Sequence, residues 1–306
     1  MKRNGLRVLY DIGRDKYLYL FLLPGIVYFL LFKYAPLYGE LIAFKDFRIM
    51  DGILGSEWVG LKHFNRLFHD HDFWMILRNT LLLNLYSILF VFPAPIFLAI
   101  LLNEVRKNWF KRALQNILYL PHFISWVVLG GVIISILSPS TGLVNIALSK
   151  VFGITPIYFM TSPFWWPIVF TISSIWQTVG WGTILYLAAM GSIDMQLYEA
   201  AKIDGANKFR QIFHVTLPGI RGTIAILLIL QMGKVMDVGF EQVFNLQNSA
   251  VFSVADVIST YVYRMGLLGA QYSYATAVGL FQGIIGLILV LLVNKLIKSM
   301  GEGGLW

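Results

Sequence analysis

Glu199-Ala-Ala-Lys-Ile-Asp-Gly205, continuing Ala206-Asn-Lys-Phe-Arg-Gln-Ile-Phe-His-Val-Thr-Leu-Pro218, lies between two long apolar segments, residues 166–190 and 222–242. Asp194 is placed to cap a short helix running through Tyr198, Glu199, Ala200 and Ala201. Gly205 supplies a left-handed residue to end that helix at little steric cost. A second helix over about 206–215 sets Phe209, Ile212 and Phe213 along one side, at three-to-four-residue spacing. Pro218 is expected to stop it. Ala200, Ala201 and Ala206 leave room for another backbone to approach. The stretch therefore predicts a helix–turn–helix standing as a polar island in an apolar chain.

The rest of the chain decides what that island is embedded in. Of 306 residues, 58% are hydrophobic and 13% charged, against about 25% charged in soluble domains. The composition predicts an all-α integral membrane protein, because lipid leaves no other partner for backbone N–H and C=O groups. Spanning takes about 20 mostly apolar residues, and six segments qualify: about 17–37, 78–102, 117–138, 166–190, 222–242 and 276–297. The fifth carries Gln231, Lys234, Asp237 and Glu241. The first has no small-residue cleavage site after a short core and reads as a retained helix. With no second soluble domain and no internal repeat, residues 1–306 read as a single transmembrane domain. Cysteine is absent, so disulfides and thiolate metal sites are excluded. His63, His69 and His71 share a charged loop without an H-E-x-x-H spacing. They read as surface histidines, and no metal site or cofactor is expected.

Orientation follows from the basic residues. Lys2, Arg3, Arg7, Arg14 and Lys16 precede the first span. Arg106, Lys107, Lys111 and Arg112 follow the second, Lys202, Lys208, Arg210 and Arg221 follow the fourth, and Lys295 and Lys298 end the chain. Six spans put all four regions on one side, so both termini and the 191–221 loop are expected in the cytoplasm. The net charge of +8 belongs to this topology rather than to nucleic-acid binding. The opposite loops are longer and aromatic, and Trp165 and Trp166 fall where an interfacial aromatic belt is expected.

The Glu199–Pro218 run resembles the cytoplasmic EAA loop of the permease subunits of binding-protein-dependent ABC importers. The resemblance extends along nearly the whole chain. Leu23-Pro24-Gly25, Phe32-Lys33-Tyr34-Ala35-Pro36-Leu37-Tyr38-Gly39, Trp58-Val-Gly-Leu61, Arg78-Asn79-Thr80-Leu81, Tyr119-Leu-Pro-His-Phe-Ile-Ser-Trp126 and Asp256-Val-Ile-Ser-Thr-Tyr-Val-Tyr-Arg264 are similar to the carbohydrate-uptake permeases, in the polysaccharide-type, LplB-like branch. Asn248-Ser-Ala250 departs from that pattern, which has a proline after the asparagine. The resemblance implies a type I ABC importer permease fold in a bacterial plasma membrane. It also implies a second homologous permease, two copies of an ABC ATPase and an extracellular solute-binding lipoprotein. In that family Glu199 would engage the ATPase, with Ala200, Ala201, Asp204, Gly205, Ala206, Phe209 and Pro218 completing the coupling element. The chain has no G-x-x-x-x-G-K-[ST], so ATP and Mg²⁺ are expected on the partner ATPase, and this subunit is not expected to be an enzyme.

Sugar recognition needs flat apolar surfaces for ring faces and hydrogen-bonding groups for hydroxyls. Trp176, Gln177 and Trp181 in the fourth span offer both, and Gln177 and Trp181, at i,i+4, can share a face. Packing between helices is the plainer role for them. In the fifth span Lys234, Asp237 and Glu241 fall at i, i+3, i+7 and are expected on one helix face. A lone Lys at that depth costs about 2.5–3.5 kcal/mol on insertion scales. It is expected either to pair with Asp237 or to line a translocation cavity. The sequence thus predicts an ATP-driven oligosaccharide importer permease working by alternating access. An ABC permease for another solute and an ion-coupled secondary transporter are the rival readings.

Overall fold

The structure is a computed structural model that describes residues 16–299. Lys2, Arg3, Arg7 and Arg14 of the orientation argument lie outside the described residues. The described chain is helical but for one antiparallel pairing, Lys45 opposite Trp58 and Asp46 opposite Glu57. Among the described residues five helices are long and apolar enough to cross a membrane, and a sharply bent pair makes six if counted as one crossing. The described chain divides into two compact units, residues 16–67 with 265–280, and residues 68–264 with 281–299.

In the first unit α1 (Lys16–Phe29) continues through a π turn at Leu30–Tyr34 and a 3₁₀ segment at Ala35–Phe44 to form one candidate span. Beyond it stands a small knob. The Lys45 ammonium donates to the carbonyls of Ile53, Leu54 and Ser56 at 2.7, 3.2 and 3.2 Å. These bonds close the loop between the paired residues. In α2 (Lys62–His69), His63 is buried and its Nε2–H donates to the Lys45 carbonyl at 3.1 Å. It is not the surface histidine expected from its charged neighbours. Those neighbours face out, while its own helix position turns inward.

The second unit begins with α3 (His71–Tyr86), a π turn at Ser87–Val91 and α4 (Ala94–Asn103), together one span. The third crossing is not the straight helix expected at 117–138. α5 (Asn108–Tyr119) passes through a 3₁₀ turn at Leu120–Phe123, and α6 (Trp126–Ile136) leaves at 103° to it. Pro121 lies in that turn and has no N–H to continue the ladder. α7 (Leu143–Phe152) precedes the central α8 (Trp165–Gly191), which matches the fourth predicted span. A methyl group on Gly180 of α8 would overlap the Leu118 carbonyl of α5, and one on Gly182 would come within 2.7 Å of Pro95 in α4. These glycines are what let three helices meet. Trp166 is buried rather than interfacial; its indole N–H donates to the Leu246 carbonyl at 2.9 Å and its ring stacks on Phe170.

The fifth crossing differs most. α9 (Met195–Ile203) is followed by α10 (Lys208–Gln211), a π turn at Ile212–Thr216 and α11 (Leu217–Met232), and Lys208–Met232 forms one 25-residue helix. Pro218 therefore does not stop a helix; it sits in the first turn of α11. The Leu217 N–H reaches back five residues to Ile212. That wider turn makes room for the proline ring, which in an α-helix would meet the carbonyl four residues earlier. The same device recurs. The π turns at Leu30–Tyr34 and Ser87–Val91 also end two residues before a proline, Pro36 and Pro93.

α11 ends at Met232, about 15 Å along the axis from Gly222, and not near 242. Lys234, Val235 and Asp237 make three-residue turns, Gly239 takes φ +86°, and a separate α12 (Phe240–Leu246) follows. Lys234, Asp237 and Glu241 thus share no helix face. Gln282 of α13 (Tyr272–Ser299) donates to the Met236 carbonyl at 2.6 Å, satisfying backbone that the break exposes. Non-helical backbone at membrane depth persists where protein or a water-filled cavity meets it. Between α12 and α13, Asp256 is buried and takes two bonds from Arg264, at 3.1 and 2.5 Å. Asn79 donates to the Asp256 carbonyl and Thr80 accepts from the Ile258 N–H, which pins this segment to α3.

Candidate functional site

Two places gather the residues singled out in the sequence. The first is the 191–221 loop. The Asp194 carboxylate accepts from the Gln196 N–H at 2.9 Å and starts α9, as expected. At the other end the Gly205 N–H reaches the Lys202 carbonyl and the Ala206 N–H reaches that of Ala201, with Gly205 at φ +76°. This is a Schellman closure, which needs a left-handed residue at that position. Asn207 then caps α10 through the Arg210 N–H at 3.0 Å. Tyr198 and Thr216 join their hydroxyls at 2.9 Å, holding the two arms together. Lys208 meets Glu104 at 2.7 Å, tying the loop to the end of the second span. Glu199, Ala200, Asp204 and Pro218 are exposed, and Ala201 and Ala206 partly so. Ile203 is 86% exposed and Phe209 74%. Apolar surface held out on a rigid, capped loop is the usual form of a binding face.

The second place is a cavity of about 570 Å³ inside the second unit. Gln177 and Trp181 both line it from α8, as their i,i+4 spacing predicts, and Lys234 and Asp237 line it from the turn after α11. Trp176 and Glu241 do not. Trp176 is exposed on α8, and Glu241, exposed on α12, accepts from Asn245 through its backbone carbonyl. The expected Lys234–Asp237 pair is also absent. Asp237 turns its carboxylate to the Gly239 N–H at 3.0 Å, and the Lys234 ammonium has no ion-pair or hydrogen-bond partner among the described residues. The break after Met232 is the reason, since residues three apart no longer stack.

Several lining groups were not singled out from sequence. The His122 ring stacks on Trp181 with centroids 4.8 Å apart and planes 4° from parallel, and its Nδ1 is buried without a hydrogen-bond partner. Phe123, outside the lining itself, meets the same indole edge-on. Gln242 is locked by bonds to Phe170, Ser173 and Ser174, whereas Gln177 carries no such bond. The cavity thus combines a layered aromatic face, a free carboxamide and an unpaired ammonium. Pro121 beside a polar residue in an apolar run was the available signal for His122.

Residues 91–301 match the protein family described as binding-protein-dependent transport system inner membrane component. Over 305 residues the chain is 48% identical to the polygalacturonan/rhamnogalacturonan transport system permease protein YteP of Bacillus subtilis, covering 100% of this chain and 95% of that one. It is 46% identical to the protein LplB of the same organism, over 99% of this chain and 95% of LplB. A chain in the crystal structure of a bacterial alginate ABC transporter, in complex with an alginate pentasaccharide-bound periplasmic protein, superimposes with a TM-score of 0.90 at 43% identity. That match covers 98% of this chain and 100% of the other.

Proposed function

Since this chain belongs to the family of binding-protein-dependent transport system inner membrane components, we propose that it carries oligosaccharides inward through the cavity at Trp181, Gln177 and Lys234. Its 191–221 loop receives a separate ATPase. The observation that carries this reading is the cavity itself, where ring-stacking surface, a free amide and a free cation occur together at the break in the fifth crossing. Trp181 and His122 suit a sugar ring face, Gln177 suits hydroxyls, and Lys234 suits a carboxylate on the sugar. The relatives named for polygalacturonan/rhamnogalacturonan and for alginate support an oligosaccharide cargo, an acidic one included. Both termini and the 191–221 loop are cytoplasmic in this reading. A second permease, two ATPase copies and an extracellular binding protein complete the assembly.

On the loop, Ile203, Phe209 and Phe213 are the apolar groups offered to the ATPase, with Glu199 beside them. The experiment is reconstitution of the four-component assembly in vesicles, with binding-protein-stimulated ATP hydrolysis and labelled oligosaccharide uptake measured together. Phe209→Asp is expected to abolish both while leaving membrane insertion intact. Unchanged hydrolysis and uptake in that variant would remove the loop from the coupling path.

A further inference from the structure

A second and larger cavity, of about 720 Å³, opens between the second span and α8 and has no part in the reading above. Its volume falls within the usual range of ligand pockets, roughly 300–1,000 Å³. Its wall is hydrocarbon along most of its length, with Leu82, Phe90, Ile168, Ile172 and Ile175 among the lining residues. Of the polar groups on that wall, Thr171 already donates its hydroxyl to the Pro167 carbonyl at 2.8 Å. Charge enters at one end only, at Arg78.

The Arg78 guanidinium lacks an acidic partner among the described residues. Its Nε and Nη2 donate to the Asn79 carboxamide and its Nη2 to the Ser253 carbonyl, at 2.7–3.3 Å. These neutral acceptors fix its direction without neutralising it, and Nη1 stays unengaged. Arg78 stands seven residues into a 33-residue span, about 10 Å from its start at 1.5 Å per residue, which is headgroup depth for a helix longer than the hydrocarbon layer. From Arg78 to Phe90 the cleft follows the span for about 18 Å, close to half of the roughly 30 Å hydrocarbon core.

One fixed cation above one leaflet's length of apolar groove is the shape of a phospholipid. We infer that this cleft binds an anionic phospholipid, its phosphate on Arg78 and one acyl chain against Ile168, Ile172 and Leu82. The open Nη1 carries two N–H groups that can donate charge-assisted bonds to a phosphate, and basic pockets between membrane helices hold acidic headgroups by the same chemistry. A protein helix seated there would have to bring its own acidic residue to the level of Arg78, whereas an anionic lipid brings that charge with its headgroup.

The test is native mass spectrometry of the assembled transporter, exchanged into phosphatidylglycerol or phosphatidylcholine. The intact complex is expected to retain phosphatidylglycerol selectively. Arg78→Gln is expected to lower that retention about ten-fold and to leave phosphatidylcholine unchanged. Ile172→Trp, which fills the groove, is expected to lower retention of both without touching the charge. Equal retention of phosphatidylglycerol by wild type and Arg78→Gln would overturn the assignment. So would efficient crosslinking of an Ile172→Cys variant to the second permease, since a protein segment would then occupy the cleft.

Discussion

Lys234 stands unpaired on a turn in the cavity wall, and its charge has to meet either water or cargo. A charged hydrogen bond is worth about 1.5–3 kcal/mol, so Lys234→Met is expected to lower uptake of a carboxylate-bearing oligosaccharide roughly ten-fold or more. Uptake equal to wild type in reconstituted vesicles would show that the ammonium does not touch the sugar. His63 makes a different prediction. Burial holds its imidazole below the ordinary value of 6.5, outweighing the opposing bond to the Lys45 carbonyl. The unfolded chain therefore takes up a proton before the folded one as pH falls, so the knob loses stability below about 6.5 and gains none above it. Protection factors for amide exchange across residues 45–69, corrected for the intrinsic pH dependence of exchange, should fall only on the acid side of that pH, and His63→Gln should remove the dependence. Residues such as Asp194 and Gly205 were legible because a cap and a left-handed closure are decided within four residues of sequence. The helix face expected to join Lys234, Asp237 and Glu241 does not exist, although Lys234 does line the cavity, and His122 was missed, because each depends on where a helix breaks and what then stands opposite.

Helix breaks are the feature of this fold that composition conceals. Apolar content marked the crossings well, since lipid sets it, and α8 and the second span lie where hydropathy put them. Their continuity depends on individual residues. Pro121 bends a crossing, whereas Pro36, Pro93 and Pro218 follow π turns that leave the helix running. Two substitutions probe this scale. Gly205→Ala meets no atom within 4 Å but must hold φ +76°, so its cost is backbone strain of about 1–2 kcal/mol, seen as faster amide exchange in the last turn of α9. Gly180→Ala meets the Leu118 carbonyl instead. Its overpacking should cost about 1–3 kcal/mol, read as a lower melting temperature with the 191–221 loop undisturbed.

At the scale of the whole molecule, the rival ion-coupled mechanism and the proposed one separate cleanly. Uptake is expected to stop when ATP is removed from the vesicle interior and to persist when a protonophore collapses the ion gradient; the reverse pattern would favour the secondary transporter. The continuous helix from Lys208 to Met232 bears on how such a machine would be driven. It begins at the loop proposed to meet the ATPase, clamped there by Glu104, and ends at the turn that holds Lys234. At about 37 Å it is longer than the hydrocarbon layer is thick, and its π turn carries the helix past Pro218. One helical element thus joins the cytoplasmic loop to the cavity wall, so hydrolysis and cargo release would share one stroke.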